Sequence, residues 1–192
     1  MIIKIAESIH AGAIRDIYAP FIQDGFVTFE TQVPEVEDFE KRIAHYTERY
    51  PWLVMEEDGV VLGYAYASAY RERVAYQWVV ECSVYVHGDH QKKGIAAKLY
   101  EALFDLLRLQ GLYKVYAVIT APNPQSVGFH ERMGFTWFAT YENVGYKAGK
   151  WCDVGWWQLT LTEPDNSIPS APIPFPQLDN SAVDNILKKY ST

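Results

Sequence analysis

Apolar and polar positions alternate along residues 75–86. Trp78, Val80, Cys82, Val84 and Val86 fall on one face, and Gln77, Val79, Glu81, Ser83 and Tyr85 on the other. A period of two over this length predicts a strand with two different surroundings. Residues 2–7, 52–55 and 60–69 read as further strands, the last two joined through Asp58-Gly59, a hairpin signal. The period then changes. Leu99, Ala102, Leu103, Leu106 and Leu107 form one stripe of an amphipathic helix that Gly111 closes. Residues 114–120 predict a strand, 123–133 a short helix closed by Gly134, and 135–141 and 157–162 the final strands. Two helices lie earlier. One opens at Ser8 and runs to about Gln23, where Pro20 is expected to kink or end it. The other starts near Pro34. Its acids Glu35, Glu37 and Asp38 precede Lys41, Arg42 and Arg49, the order a helix dipole favours.

This order predicts an α+β fold: a mixed, mostly antiparallel sheet flanked by helices, with one parallel crossover late in the chain. No Gly-x-Gly-x-x-Gly and no Walker lysine loop occurs, which argues against Rossmann and P-loop nucleotide sites. Residues 1–163 are expected to form the main domain. Five of the ten prolines lie within 164–176, so 164–192 reads as a proline-rich extension. The proline segment 164–176 is expected to be too rigid and too polar for a core element and to serve as a strap or linker, followed by a polar stretch and a weak helix near 182–190.

With 49% hydrophobic and 21% charged residues among 192, the chain can bury a sizeable core. The net charge of -7 argues against nucleic acid or an anionic membrane surface as partner. That charge sits in residues 1–59, with twelve acidic against five basic side chains; residues 60–163 hold nine against ten. Cys82 and Cys152 make neither a disulfide framework nor a metal-ligand spacing. No 18-residue apolar run occurs, and Met1-Ile2-Ile3-Lys4 lacks the layout of a signal peptide, so a cytoplasmic location is expected.

Candidate chemistry begins in the loop Gln91-Lys92-Lys93-Gly94-Ile95-Ala96, between a strand and the long helix. Small residues there let an anion approach the free N–H groups of the first helical turn, and the lysines add positive charge. Taken alone, the loop reads equally as a solvated basic turn. A second pattern lies downstream: Asn123-x-x-Ser126-x-x-Phe129-His130-x-x-x-Gly134-Phe135. The two together resemble the signatures of the GNAT acetyltransferase superfamily. Tyr50-Pro51-Trp52-Leu53-Val54, Ala75-Tyr76-Gln77-Trp78, Glu81-Cys82-Ser83-Val84-Tyr85-Val86 and Gly145-Tyr146-Lys147-x-Gly149-x-Trp151-x-Asp153-Val154-Gly155-x-Trp157-Gln158 narrow the likeness to the phosphinothricin N-acetyltransferase family. It covers about residues 2–162. Ala96 stands where glycine is usual, and the proline-rich tail has no matching motif.

The resemblance implies the GNAT acyl-CoA N-acyltransferase fold, acetyl-CoA as co-substrate, no metal, a small-molecule amine as acceptor and a homodimer. It implies that Val84, Tyr85 and Val86 hold the thioester and pantetheine arm, and that Gln91, Lys92, Lys93, Gly94, Ile95, Ala96 and Ala97 hold the pyrophosphate. Asn123 and Ser126 would also contact the cofactor.

Acetyl transfer to an amine needs a base for the ammonium, a held thioester, donors for the oxyanion and a proton for the thiolate. Glu81 is the candidate base. A semi-buried carboxylate is pushed upward in pKa, and its alternative role is an ion pair with an arginine. His130 is the second catalytic candidate, as donor to the thiolate or as a relay with Glu81; otherwise it is a satisfied polar residue. Cys82 reads as a small core residue, and His87 with His90 lacks a third metal ligand. Trp151, Trp156 and Trp157 read as core or subunit interface. Arg71 and Arg73, alternating at a strand end, are expected to face one anionic group. The resemblance adds Phe29 and Tyr76 to that acceptor pocket. It favours phosphinothricin, methionine sulfone or methionine sulfoximine as acceptors. A protein N-terminus, a polyamine and a non-catalytic CoA-binding module are the alternatives.

Overall fold

The computed structural model of the chain describes residues 1–165 and 167–191. Seven strands form one sheet: β1 (Ile2–Ile5), β2 (Trp52–Glu57), β3 (Val60–Ala69), β4 (Val79–Val86), β5 (Lys114–Ala121), β6 (Thr136–Lys147) and β7 (Lys150–Thr160), in the order β1-β2-β3-β4-β5-β7-β6. Every described pairing is antiparallel except β4 with β5. This is the expected mixed sheet with one parallel crossover. The crossover is α3 (Ile95–Leu109).

Each face of the sheet is covered by its own helices. On one side, α1 (Ala11–Gln23) and α2 (Val36–Thr47) bury Ile14, Ile17, Phe39 and Ile43 against Trp52, Val54 and Tyr64. On the other, α3 buries Leu99, Leu103, Leu106 and Leu107 against Leu53, Ala65, Val80 and Cys82. The alternation in β4 thus sorts as its sequence predicts: Val80 and Cys82 face α3, and Tyr85 packs with the α1 and α2 layer.

Several elements differ from their expected bounds. Residues 74–76 form a 3₁₀ turn, so β4 starts only at Val79. Pro20 lies inside the last turn of α1, which continues to Gln23, and Asp24 N–H closes it on the Pro20 carbonyl. A proline this near the end removes one helical hydrogen bond but does not stop the helix. The two final strands are longer than expected and join as a hairpin. Ala148 and Gly149 make the turn with positive φ (50° and 83°), the geometry of a tight two-residue hairpin.

The tail is the largest difference. After α4 (Pro124–Arg132) and the β6–β7 hairpin, the proline-rich stretch runs along the surface, with Ile168 95% exposed. It then sinks Phe175 and Leu178 into the α3 side of the core, and α5 (Asn180–Tyr190) adds Val183 and Leu187. The expected polarity therefore ends at Phe175. Gln110 ties the strap down, its side-chain amide donating to the carbonyls of Arg49 and Ile173 (both 2.7 Å).

Candidate active site

The parallel pairing of β4 and β5 is short: Val79 with Lys114, Val80 with Val115, and Glu81 with Tyr116. Beyond Glu81 the pairing ends, while Cys82 to Val86 remain hydrogen-bonded to β3 on the other side. A gap between two parallel strands leaves backbone N–H and C=O groups of β4 turned toward an extended ligand. Val84, Tyr85 and Val86, named from the sequence, line that stretch.

Glu81 stands at the mouth of this gap, half-buried on the α1 and α2 face of the sheet. Burial raises its carboxyl pKa above the usual carboxylate value, and the positive charge of Arg71 opposes the shift. Tyr116 beside it is the centre of an aromatic wall. Its ring meets Tyr70 at 4.9 Å, Phe138 at 5.3 Å and Trp156 at 6.1 Å between centroids. Tyr70 also receives Tyr76 edge-on (5.7 Å) and carries the Arg71 guanidinium over its face (4.7 Å).

Arg71 and Arg73 both line one hollow, but they do not alternate at a strand end as expected from the sequence. β3 ends at Ala69, so they lie on a loop and not on a strand end. The loop folds around a cavity of about 430 Å³ lined by Ala69, Tyr70, Arg71, Glu72, Arg73 and Tyr76. Phe29 is not among its lining residues. It packs instead on the hairpin, where a Cβ built on Gly145 would fall 2.2–2.6 Å from its ring.

Glu81 and His130 are not brought together. His130, on α4, is buried on the α3 side, behind the strand that carries Glu81. Its Nδ1 lies 2.8 Å from the Ser126 carbonyl and its Nε2 3.1 Å from the Tyr100 hydroxyl. A carbonyl only accepts, so Nδ1 carries the proton and Nε2 accepts from Tyr100. The Tyr100 oxygen in turn accepts from the Cys82 thiol (3.3 Å). Desolvation lowers the His130 pKa, keeping the ring neutral, and pushes the Cys82 thiol up to about 12. Cys82 is therefore a buried, inert thiol, in line with its sequence reading. The direct relay between His130 and Glu81 is not built, because successive residues of a strand point to opposite faces.

The loop before α3 has the geometry of an anion cradle. Lys92 (φ 62°) and Gly94 (φ 81°) both adopt the left-handed region, and no side chain caps the helix at Gly94. The first-turn N–H groups of Ile95, Ala96 and Ala97 thus stay open to a ligand, at the positive end of a fifteen-residue helix. Lys92 and Lys93 are exposed beside Gln91, and Lys93 Nζ is 3.4 Å from His90 Nδ1. Asn123 caps α4, its Oδ1 accepting from Ser126 N–H (3.1 Å). Asn123 and Ser126 therefore have a local structural use besides any contact with cofactor. Among the described residues no group of three metal-ligating side chains occurs, and no helix is long and apolar enough to cross a membrane.

Sequence reasoning did not single out Tyr70, Tyr100 or Tyr116. Tyr100 follows Leu99 of the α3 stripe but is not read as part of it; only the fold brings its hydroxyl between Cys82 and His130. Tyr116 gains its place from the register with Glu81, which no local pattern encodes.

Residues 3–156 match the family model of the acetyltransferase (GNAT) domain. The chain is 39% identical over 171 residues to the phosphinothricin N-acetyltransferase of Streptomyces viridochromogenes, spanning 89% of this chain and 93% of that protein. It is 36% identical over 167 residues to the L-methionine sulfoximine/L-methionine sulfone acetyltransferase of Salmonella typhimurium, spanning 85% and 96%. The crystal structure of a phosphinothricin acetyltransferase from Sinorhizobium meliloti in complex with AcCoA superposes with a TM-score of 0.84 at 31% identity, covering 92% of this chain and 96% of that one.

Proposed function

The chain belongs to the GNAT acetyltransferase family and uses acetyl-CoA to acetylate an amine; from that premise we propose that its acceptor is the α-amine of a small anionic amino-acid analogue of the phosphinothricin or methionine sulfone type. The observation that carries this reading is the pairing of a half-buried carboxylate with an arginine-lined hollow. Glu81 feels the charge of Arg71, and Arg71, Arg73 and Tyr76 line one cavity of about 430 Å³. Two guanidiniums there suit a carboxylate and a second, tetrahedral group that is acidic or polar. They disfavour a polyamine.

In this mechanism Glu81 takes the proton of the bound ammonium, its raised pKa bringing a weak base nearer to neutral pH. The free amine attacks the thioester carbonyl directly, and the backbone of β4 beyond Glu81 holds the acetyl and pantetheine groups. Residues 91–97 hold the pyrophosphate through Gln91, Lys92, Lys93 and the N–H groups at Gly94, Ile95, Ala96 and Ala97, with Asn123 and Ser126 alongside. His130 serves the opposite side of β4, where the departing thiolate needs a proton. Cys82 carries no acyl group, and no covalent enzyme intermediate forms.

We assign the catalytic unit to residues 1–163 and the extension 164–192 to its support, in the cytoplasm. The hairpin exposes Trp137, Tyr141, Tyr146 and Trp151 at 46–61%. An aromatic patch of this kind supports assembly into a homodimer across it.

The test is thiol release from acetyl-CoA with phosphinothricin, methionine sulfone, a polyamine and a peptide N-terminus as acceptors. Turnover with the first two and not the others is expected. Preference for the peptide would transfer the assignment to protein N-termini, and tight CoA binding without turnover would leave a binding module.

A further inference from the structure

A second cavity, of about 290 Å³, lies against the loop that forms the arginine-lined hollow. It opens between the end of α2 and residues 69–77, and Arg49, Arg71 and Arg73 all line it. Ala69, Arg71, Glu72 and Arg73 are common to both spaces, which therefore adjoin along the loop. Ala69 is the register partner of Val80, the residue before Glu81. The shared edge thus begins one strand position from the proposed base.

The three guanidiniums also differ from their counterparts elsewhere. Arg15, Arg42 and Arg108 each pair with a carboxylate at 2.9–3.1 Å. No carboxylate among the described residues lies within ion-pair distance of Arg49, Arg71 or Arg73. Glu48 and Glu72 line the same cavity and still do not pair with them. Arg71 stacks on Tyr70, and Arg49 lies over Tyr50 with 5.8 Å between its guanidinium carbon and the ring centroid. Stacking uses the face of a guanidinium and leaves its in-plane N–H donors free. Like charges around one space repel, and a bound anion removes that cost.

We propose that this cavity is an anion subsite, and that Arg49 makes the protein prefer an acceptor whose distal group is charged. The hollow takes the α-carboxylate while the amine lies at Glu81, and the distal group enters the adjoining cavity. Arg71 and Arg73 line both spaces and serve both groups; Arg49 lines only the second. Its substitution therefore separates the distal group from the rest of the acceptor. This deepens the function proposed above and rests on it.

The experiment compares the full chain with Arg49→Gln and Arg49→Lys on two acceptors of different distal charge. The phosphinate of phosphinothricin is ionised at neutral pH; the sulfone of methionine sulfone is neutral. In Arg49→Gln the phosphinothricin KM should rise about tenfold or more, the loss of a hydrogen-bonded charge. The methionine sulfone KM, the acetyl-CoA KM and both kcat values should stay within about twofold, since uniform binding alone is removed. Arg49→Lys keeps the charge and should recover part of the loss. Neither change touches the Arg49 carbonyl, which accepts from Gln110 and Phe175. An unchanged phosphinothricin KM would overturn the proposal, as would equal losses with both acceptors, which would assign Arg49 to the carboxylate. Inorganic phosphate gives a reading independent of turnover. It should slow amide hydrogen exchange across residues 70–77 in the wild-type chain and not in Arg49→Gln; no slowing in the wild type would overturn the subsite. If the wild-type chain acetylates neither acceptor, the function proposed above fails, and the phosphate measurement still decides whether the cavity binds an anion.

Discussion

Glu81 and Tyr116 face each other at the last paired position of the one parallel strand pair among the described residues. One residue further, the strands part. The carboxylate therefore stands where a hydrogen-bonded sheet becomes an open slot, with an aromatic wall on its β5 side and the charge of Arg71 nearby. A base at such an edge can reach an amine while the thioester lies along the freed backbone.

If Glu81 is that base, Glu81→Gln lowers kcat/KM by about 10²–10⁴-fold, with acetyl-CoA affinity within twofold by calorimetry. The pH profile gives a second reading. The working form is ionised and burial raises the pKa, so wild-type kcat/KM rises with pH through a limb centred above the usual carboxylate value. Glu81→Gln removes that limb. A limb that survives belongs to another group and returns Glu81 to a structural role.

The buried chain from Cys82 through Tyr100 to His130 predicts a stability effect. Tyr100→Phe leaves His130 Nε2 buried without its donor, a loss of about 1–3 kcal/mol, seen as a lower midpoint in urea unfolding. His130 is neutral in the fold with a lowered pKa, whereas unfolding returns it to its ordinary value. The unfolded chain thus binds more protons below that value. Stability from this residue is fully present above the ordinary histidine range and falls as pH drops through it toward the folded pKa. His130→Gln should flatten that part of the Tm against pH curve relative to wild type.

Gly94 tests the anion cradle. A Cβ there meets nothing within 4 Å, so the obstacle is the φ of 81° alone. Gly94→Ala should cost about 1–2 kcal/mol in backbone strain, or relieve it by reshaping the loop. In either case the acetyl-CoA KM rises about tenfold with the acceptor KM little changed. Gly94→Asn, which tolerates the left-handed region, should show the smaller effect; equal KM values for all three proteins would remove the cradle from the cofactor site.

Removing residues 174–192 tests the tail. Phe175, Leu178, Val183 and Leu187 are each at least 92% buried. Their burial contributes about 1.5–3 kcal/mol apiece, a large part of a typical domain's net stability. The truncated chain should lose more than 10 °C in Tm or become insoluble. A Tm within 2 °C of the full chain would show that the tail is dispensable.

Local pattern carried a good deal of this. The period of two in 75–86 assigned Cys82 and Glu81 to opposite faces, and the 3–4 spacing of leucines identified the buried stripe of α3. The small residues of the loop before α3 read from sequence as an anion site or a basic turn, and the Asn123 to Phe135 signature was legible only through the family resemblance. The β6–β7 hairpin was less legible. Its strand is mostly exposed, so Thr136–Lys147 shows no clean alternation between an apolar and a polar face.

Other features needed the whole fold. Strand periodicity says that Glu81 and Cys82 diverge, but not that α3 lies behind Cys82, nor that Tyr100 joins that thiol to His130. It cannot place Tyr116 beside Glu81, because register between strands thirty-five positions apart depends on long-range packing. Lys147 is the sharpest case. In sequence it is a lysine near a glycine turn, the usual mark of a solvated tip. Its ammonium is buried because the hairpin folds back over the end of α1, where two carbonyls from distant sequence supply what water would have supplied.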